Sequence, residues 1–401
     1  MWELIKANQR RSVLLFVIMG ILLIVLGFLI GLSFDPHGNG GGAIFGIIIA
    51  LVVWFVMSLV ALTAGSSIML AASNAKEVTQ DVHPQLFNIV DEMRLAAGMT
   101  TMPKVYIINT DAPNAFATGM SPDKAAVAVT AGLLAKLNRD ELQGVIAHEM
   151  SHVINRDVRF MTIAGVMLGS IVIISEIFLR SLFFSGGGSS KKGNGQAQII
   201  IMIIALVFAI LAPILAQLLY FSISRKREYL ADASAVRLTR YPEGLASALE
   251  KISASNIDMP MANKVTAPMY ICNPLKKKGM KMSDLTSTHP PISERIRILR
   301  EISGGAGLVN YQNAFNKITG KKTLIPSGEL KQPEDIGIRA GLTAEFSDNK
   351  TTAREMSDIM MKVDNYSFIN CSCGMKLKIP ADFTADIAYC PRCGKGHPVN
   401  K

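Results

Sequence analysis

Charged residues are scarce in this chain. Asp, Glu, Lys and Arg make up only 18% of its 401 residues, whereas apolar residues make up 50%. An average soluble domain has about 25% charged residues. The composition therefore argues against an ordinary soluble enzyme and directs attention to apolar segments long enough to enter a membrane.

Histidine is scarce as well, with six in the chain, and none lies in a long apolar run. Those runs also contain few carboxylates, whereas a transporter of metal ions needs polar ligands inside its spans. The carboxyl-terminal tail lacks a dense stripe of Lys and Arg interleaved with aromatic residues. These absences argue against metal transport and against nucleic acid as a partner.

Four apolar runs are long enough to cross a bilayer, which takes about 20 helical residues. They cover residues 13–34, 43–70, 161–184 and 199–221. The first run follows three basic residues but lacks a small-x-small cleavage site, so it is expected to remain as a membrane anchor. The predicted fold is mostly α, a polytopic membrane protein with four transmembrane helices.

The placement of basic residues predicts the orientation in the membrane. Lys6, Arg10 and Arg11 precede the first span, and the following connection, DPHGNGGG, has no basic residue. This pattern puts the amino terminus in the cytoplasm. Four spans return the chain to the same side, so residues 72–160 and 222–401 are expected there, although SGGGSSKKGNGQ on the outside contains two lysines.

Residues 148–152 read HEMSH within LQGVIAHEMSHVINRD. Upstream, Asn138 followed three residues later by Glu141 predicts a capping box, and apolar residues then recur at helical spacing. On a helix, His148 and His152 project from one face, so both imidazoles can reach one zinc ion, with Glu149 beside them as a base. The alternative is a chance match to a five-residue pattern.

A third ligand is expected just after the fourth span, in SISRKREYLADASAVRL. Glu228 would complete a site of two histidines and one glutamate, and Asp232, one helical turn later, would orient a histidine. Taken alone, Glu228 also fits a surface glutamate between arginines. The third and fourth spans form an antiparallel hairpin, however, so their cytoplasmic ends are neighbours. The same residue count places the metal within about 10 to 15 Å of the membrane surface if the helices run on unbroken.

Four motifs in this order, APNAFATG, HEMSHVINRD, SRKREYLADASA and STHPPISERI, resemble the HtpX-type membrane zinc endopeptidases, relatives of the CaaX prenyl proteases. The resemblance covers roughly residues 1–302. It implies a gluzincin-type catalytic domain with a small sheet, zinc held by His148, His152 and Glu228, and Glu149 as the catalytic base. It also implies polypeptide substrates, among them misfolded membrane proteins, and a role in protein quality control.

Two further stretches are interpreted with this resemblance. The β-favouring run VYIIN continues into NAFATG, which suits an edge strand that pairs with an extended peptide. The resemblance implies substrate contacts at Asn114, Ala115 and Phe116, and a turn-forming asparagine after Pro113 is the alternative. It further implies that His289, before a proline pair, stabilises the tetrahedral oxyanion, where the alternative is a plain loop histidine.

The chemistry predicted from these residues is peptide hydrolysis. A zinc ion lowers the pKa of its bound water to roughly 7 and polarises the scissile carbonyl. Glu149 is expected to take the proton of that water and pass it to the leaving amine. The competing interpretation is a non-enzymatic membrane scaffold or holdase with a structural metal, which has no use for Glu149 between two ligands.

The tail carries a second metal-binding pattern. Cys371-x-Cys373 and Cys390-x-x-Cys393 are separated by 16 residues, which predicts a zinc ribbon with four thiolate ligands, although the first knuckle is one residue shorter than usual. Disulfides are the alternative, and a reducing cytoplasm disfavours them. The sequence therefore predicts one catalytic and one structural zinc ion, with Cys272 as an ordinary thiol.

The predicted domain organisation follows the spans and motifs. The linker is expected from SGGAGL and two prolines, and the catalytic site is expected on the cytoplasmic face of the plasma or inner membrane. The segments are a transmembrane hairpin at 1–71, a catalytic part with the HExxH helix at 72–160, a second hairpin at 161–222, a catalytic part with the third ligand at 223–302, a linker with some helix at 303–365, and the ribbon at 366–401.

Overall fold

A computed structural model describes most of the chain. The described residues are 2–35, 39–184, 195–259, 262, 266–274, 290–321, 324–325, 327–328, 330, 336–341 and 349–399.

Helices dominate these residues, as the composition predicts. There are eleven α-helices, with short 3₁₀ turns at Pro122–Lys124 and Ala267–Met269. The helices are α1 (Trp2–Ser33), α2 (Gly41–Ala72), α3 (Pro84–Ala96), α4 (Ala131–Lys136), α5 (Arg139–Ile154), α6 (Asp157–Phe184), α7 (Gly195–Thr239), α8 (Pro242–Ser253), α9 (Ile292–Glu301), α10 (Leu308–Thr319) and α11 (Asn349–Val363).

One small sheet lies beside the HEMSH helix. Its strands are β1 (Ala75–Glu77), β2 (Lys104–Ile108), β3 (Ala115–Thr118) and β4 (Ala126–Thr130), in the order β1-β2-β4-β3. β2 and β4 run parallel, and the two outer pairs are antiparallel. β3 is therefore an edge strand, as the NAFATG stretch predicts, and α5 packs against it.

Four helices of the described part are long and apolar enough to cross a membrane, which confirms the number predicted. The candidate spans are Ser12–Ser33, Gly41–Ala72, Asp157–Leu182 and Ile199–Leu219. α1 packs against α2, α6 and α7. Large apolar side chains on the outside of this bundle, such as Phe45 and Phe55, remain about two-thirds exposed, at 64% and 66%. Exposed apolar surface on this scale is typical of a surface that faces acyl chains.

The connections from the second hairpin to HEMSH and to Glu228 differ, because only one of them is a continuous helix. α7 runs unbroken for 45 residues, so that the fourth span and Glu228 belong to one helix. At ~1.5 Å per residue, Glu228 lies about 14 Å beyond the end of the span at Leu219. On the other side the chain turns between α5 and α6 at Arg156, whose φ is 58°. The continuous helix assumed from the sequence therefore connects the fourth span to Glu228, whereas a turn separates the third span from α5.

One buried core is built around α5. Apolar residues of the sheet and of helices α3, α5, α7, α8, α9 and α10 form one buried cluster. α10 contributes Tyr311 and Phe315, which are 0% and 3% exposed. Part of the segment expected as a linker is therefore packed into this core, because its apolar residues recur at helical spacing along α10.

The tail forms two short antiparallel hairpins, β5 (Ser367–Asn370) with β6 (Lys376–Ile379) and β7 (Ile387–Tyr389) with β8 (Gly396–Pro398). α11 precedes them and packs against α4, whose apolar residues belong to the core around α5. Asp358 of α11 pairs with Lys376 and with Lys378, the latter at 2.9 Å. The tail is thereby attached to this core through α11.

A close approach of α5 and α8 fixes the position of the HEMSH helix relative to α8. A Cβ added to Gly144 would lie 2.7 Å from the backbone nitrogen of Leu245, and one added to Gly244 would lie 2.7 Å from the carbonyl oxygen of Asp140. Contacts this short with backbone atoms cannot be relieved by rotating a side chain. The two glycines therefore let the helices touch through their backbones.

We expect Gly144→Ala to lower stability by about 1–3 kcal/mol, the usual cost of overpacking, because α8 must move away from α5. Thermal unfolding of the detergent-solubilised protein measures this loss as a lower melting temperature. Gly337→Ala is the control, since no atom lies within 4 Å of a Cβ added there. Equal melting temperatures for the two variants would contradict the proposed close packing.

Candidate metal centre and catalytic site

The start of α5 has the capping box that the sequence predicts. The Asn138 side chain accepts a hydrogen bond from the backbone N–H of Glu141, and the Glu141 carboxylate accepts one from the N–H of Asn138, each at 2.9 Å. This cap fixes where α5 begins. His148 and His152 then lie one turn apart on one face, with ring centroids 4.8 Å apart and both rings buried.

α7 brings Glu228 to the same point. His148 Nε2 lies 3.2 Å from His152 Nε2, and the Glu228 carboxylate oxygens lie 3.6 Å and 3.4 Å from these two nitrogens. Tetrahedral ligands about 2.0–2.1 Å from a zinc ion are ~3.3–3.4 Å apart. The three side chains that the sequence nominated as ligands therefore converge at spacings that fit zinc.

His148 is held from behind by Asp232 and Arg295. The Asp232 carboxylate lies 3.0 Å from His148 Nδ1, and it accepts hydrogen bonds at 2.7 and 2.9 Å from the Arg295 guanidinium. Burial opposes ionisation of Asp232, but Arg295 and His148 keep the pKa of this carboxyl below its usual range. A carboxylate on Nδ1 leaves Nε2 directed at the metal position. Asp232, which was predicted to orient a histidine, thus lies against His148.

His152 has a similar arrangement that the sequence analysis did not identify. Its Nδ1 lies 3.4 Å from the carboxylate of Asp157, the first residue of α6, and Arg227 of α7 lies 3.6 Å from the other oxygen of that carboxylate. Burial disfavours the protonated imidazole, but Asp157 and Glu228 raise the pKa of His152 to about 10. Protons and a metal ion compete for such a ligand set.

Three charged residues near the cavity were not predicted, although each lies inside one of the four sequence motifs. They are Asp157, Arg227 and Arg295. Asp157 ends HEMSHVINRD, Arg227 precedes Glu228, and Arg295 follows Ser293 and Glu294 in STHPPISERI. Their side chains are 0 to 2% exposed. What distinguishes these three residues from other charged residues is their nearly complete burial, and burial cannot be predicted from the spacing of charges in a sequence.

Glu149 lines the cavity beside the predicted ligands, together with Ala117 of β3 and Val158 and Met161 of α6. Its Oε2 accepts a hydrogen bond of 2.9 Å from the backbone N–H of Ala117. Burial raises the pKa of Glu149, although the neighbouring histidines oppose this shift. β3 therefore fixes the position of this carboxyl, and the raised pKa makes it a stronger base.

The expected substrate contacts Asn114, Ala115 and Phe116 are buried along the start of β3. The Asn114 side-chain amide donates to the carbonyl oxygen of Cys272 at 2.9 Å, and the N–H of Ile271 donates to the carbonyl oxygen of Ala115 at 2.9 Å. The backbone of 269–272 thus lies along this edge of the sheet. Cys272 itself is buried and forms no disulfide.

This segment also closes one side of the cavity. Met269, Tyr270 and Ile271 line it, and the Tyr270 ring packs edge-on against Phe116 with centroids 5.1 Å apart. His289, the expected oxyanion-stabilising residue, lies outside the described residues. Arg295 on the following helix reaches the site and lies 3.2 Å from Glu228.

The four cysteines of the tail also converge. Cys371 Sγ lies 3.4 Å from Cys393 Sγ, and Cys373 Sγ lies 3.6 Å from Cys390 Sγ, with no disulfide among them. Thiolates about 2.3 Å from one tetrahedral zinc ion lie ~3.8 Å apart. The backbone N–H of Cys373 lowers the pKa of the Cys371 thiol, whereas the neighbouring cysteines raise the pKa of Cys393. The short first knuckle is therefore compatible with a metal site.

Known proteins resemble this chain over most of its length. The profile of Peptidase family M48 matches residues 79–303. A Protease HtpX homolog of Dictyoglomus thermophilum is 47% identical over 75% of this chain and 94% of its own length. A Protease HtpX homolog of Listeria monocytogenes is 45% identical over 75% of this chain and all of its own.

Among solved structures, Ste24p of S. mikatae aligns with a TM-score of 0.41 and 20% sequence identity, over 75% of this chain and 67% of that one. The matched sequence relatives and the family profile agree with the convergence of the two histidines and the glutamate around one cavity. This chain belongs to peptidase family M48 and is a membrane zinc metalloprotease.

Proposed function

We propose that this protease cleaves membrane or membrane-proximal polypeptides at the cavity formed by α5, α7 and β3, in protein quality control. The observation that carries the proposal is the placement of Glu149 beside three convergent ligand atoms in a buried cavity. His148, His152 and Glu228 would hold the zinc ion, which would supply a Lewis acid for the scissile carbonyl and lower the pKa of the attacking water.

Glu149 moves the proton. Its carboxylate takes a proton from the attacking water and gives it to the leaving amine, and the Ala117 N–H holds one of its oxygens meanwhile. His289 is proposed to donate a hydrogen bond to the developing oxyanion, as the family resemblance implies. The approach of Arg295, six residues later, to Glu228 supports a location of this part of the chain near the site.

The peptide is proposed to bind along β3 through Asn114, Ala115 and Phe116. The hydrogen bond from Ile271 to Ala115 supports this, because it is a bond that an extended backbone makes with a sheet edge. Since the backbone of 269–272 lies there in the structure, a substrate must displace it. The buried ring of Tyr270 would then leave its packing against Phe116.

The site is proposed to face the cytoplasm, within reach of the bilayer, with the hairpins at 1–71 and 161–222 holding the catalytic parts at 72–160 and 223–302. The basic residues before the first span support this orientation. The position of Glu228, about 14 Å beyond the fourth span at ~1.5 Å per residue, supports substrates that emerge from the membrane, including misfolded membrane proteins.

We expect Glu149→Gln to retain zinc and to lower peptide hydrolysis by at least about 100-fold, because the amide cannot accept the proton of water. The assay incubates detergent-solubilised protein with an unfolded membrane-protein substrate and follows the fragments. Glu355→Gln, at an exposed position on α11, is the control for the carboxyl-to-amide change. Full activity in Glu149→Gln would overturn the mechanism.

The zinc content is expected to be about two ions per chain, one in each of the two tetrahedral sites. His148→Ala should remove one ion and all proteolysis, whereas Cys390→Ser should remove the other ion and leave the catalytic ion bound. Metal analysis of the purified variants measures both. Two ions in His148→Ala, or none lost in Cys390→Ser, would refute the corresponding site.

The orientation is expected to appear in the accessibility of single introduced cysteines. Asn39→Cys lies in the connection between the first two spans, and Thr100→Cys lies in the catalytic part, both at exposed positions. A membrane-impermeant thiol reagent should label Asn39→Cys in intact cells and Thr100→Cys only after permeabilisation. The reverse pattern would place the catalytic site on the outer face.

A further inference from the structure

The two histidines at the metal position are held by different parts of the molecule. The chain of contacts from His148 through Asp232 to Arg295 stays within the catalytic part, on α5, α7 and α9. The chain from His152 through Asp157 to Arg227 leads instead to α6 and α7 at the ends of two membrane spans. The second chain of contacts continues further.

Arg227 extends this second chain to the first membrane helix. Its Nη2 donates a hydrogen bond of 2.9 Å to Ser12 Oγ, at the start of the first span on α1. Its guanidinium carbon lies 4.1 Å from the centre of the Phe160 ring on α6, and the side chain is only 2% exposed. One buried side chain thus joins α1, α6 and its own helix α7.

We propose that Arg227 is a positioning residue that links the first membrane helix to His152 through Asp157. The proposal rests on the proposed function in taking His152 as a zinc ligand. Asp157 uses one oxygen for His152 Nδ1 and the other for Arg227, so the position of Arg227 constrains the carboxylate and the carboxylate orients the ring. α1 packs along both α6 and α7, which holds Ser12 in place relative to this carboxylate.

The geometry of these contacts fits arginine at position 227 better than lysine. A planar guanidinium can face Asp157 through Nε, donate to Ser12 through Nη2, and still lie over the Phe160 ring. The single ammonium group of a lysine keeps the charge but cannot point in these directions at once. The contacts of Asp157 with His152 and Arg227, at 3.4 and 3.6 Å, are also longer than those of Asp232 with His148 and Arg295, at 3.0 and 2.7 Å. The contact between Arg227 and Ser12 then adds support from α1 to the carboxylate that faces His152.

The test measures the affinity of the catalytic site for zinc in the full-length protein in detergent, by competition with a chelator, with the zinc of the cysteine site as an internal reference. We expect Arg227→Gln to weaken the catalytic site by about tenfold, the lower end of the range for residues that orient metal ligands. Arg227→Lys should recover part of this affinity. The absorption bands of the Co²⁺-substituted site should shift in Arg227→Gln.

Ser12→Ala isolates the link to the membrane helix, because it removes one hydroxyl and leaves the buried charge intact. It should weaken catalytic zinc binding to a smaller extent, whereas Ser33→Ala, at the far end of α1, should not. Ser33 donates to a carbonyl of its own helix at 2.7 Å and serves as the matched control. If Arg227→Gln fails to fold, Ser12→Ala decides the question alone.

Wild-type zinc affinity and an unchanged Co²⁺ spectrum in a folded Arg227→Gln protein would overturn the positioning role. Equal affinities in Ser12→Ala and Ser33→Ala would overturn the link to α1. Neither result would contradict the proposed function. The proposed function would be contradicted if the His148→Ala variant kept its catalytic zinc. The two failures are therefore distinguishable with the same assay.

Discussion

The burial of opposite charges around one cavity is the constraint on which the site depends. Four carboxylates and two guanidiniums lie beside the two histidines or beside their carboxylate partners, with almost no exposure to water. A buried charge without a partner costs several kcal/mol, so these groups are stable there only because opposite charges lie beside them. They come from α5, α6, α7 and α9, namely Glu149, Asp157, Arg227, Glu228, Asp232 and Arg295.

This requirement ties the membrane part to the catalytic part. α7 is a span at one end and a wall of the site at the other, and Asp157 both begins α6 and contacts His152. The spans therefore do more than hold the protein at a membrane. Their packing brings Glu228 to the histidines, since the hairpin of α6 and α7 closes the long gap in sequence between HEMSH and Glu228.

The edge of the small sheet has a matching role on the other side of the cavity. β3 holds Glu149 through Ala117 and offers the carbonyl oxygen of Ala115 to an extended backbone. In the structure that backbone belongs to residues 269–272 of the same chain. The cavity and this sheet edge are consequently assembled from segments on both sides of the second hairpin.

Local patterns determined much of this protein. The four spans, the capped HEMSH helix, the edge strand and the cysteine pairs follow from apolar length, helical spacing and side-chain chemistry, which neighbouring residues control. Only the tertiary structure decided that Asp157, Arg227 and Arg295 are buried at the site, that the chain turns at Arg156, and that α10 belongs to the core. Burial is set by which elements pack together, and such contacts join residues that are distant in sequence.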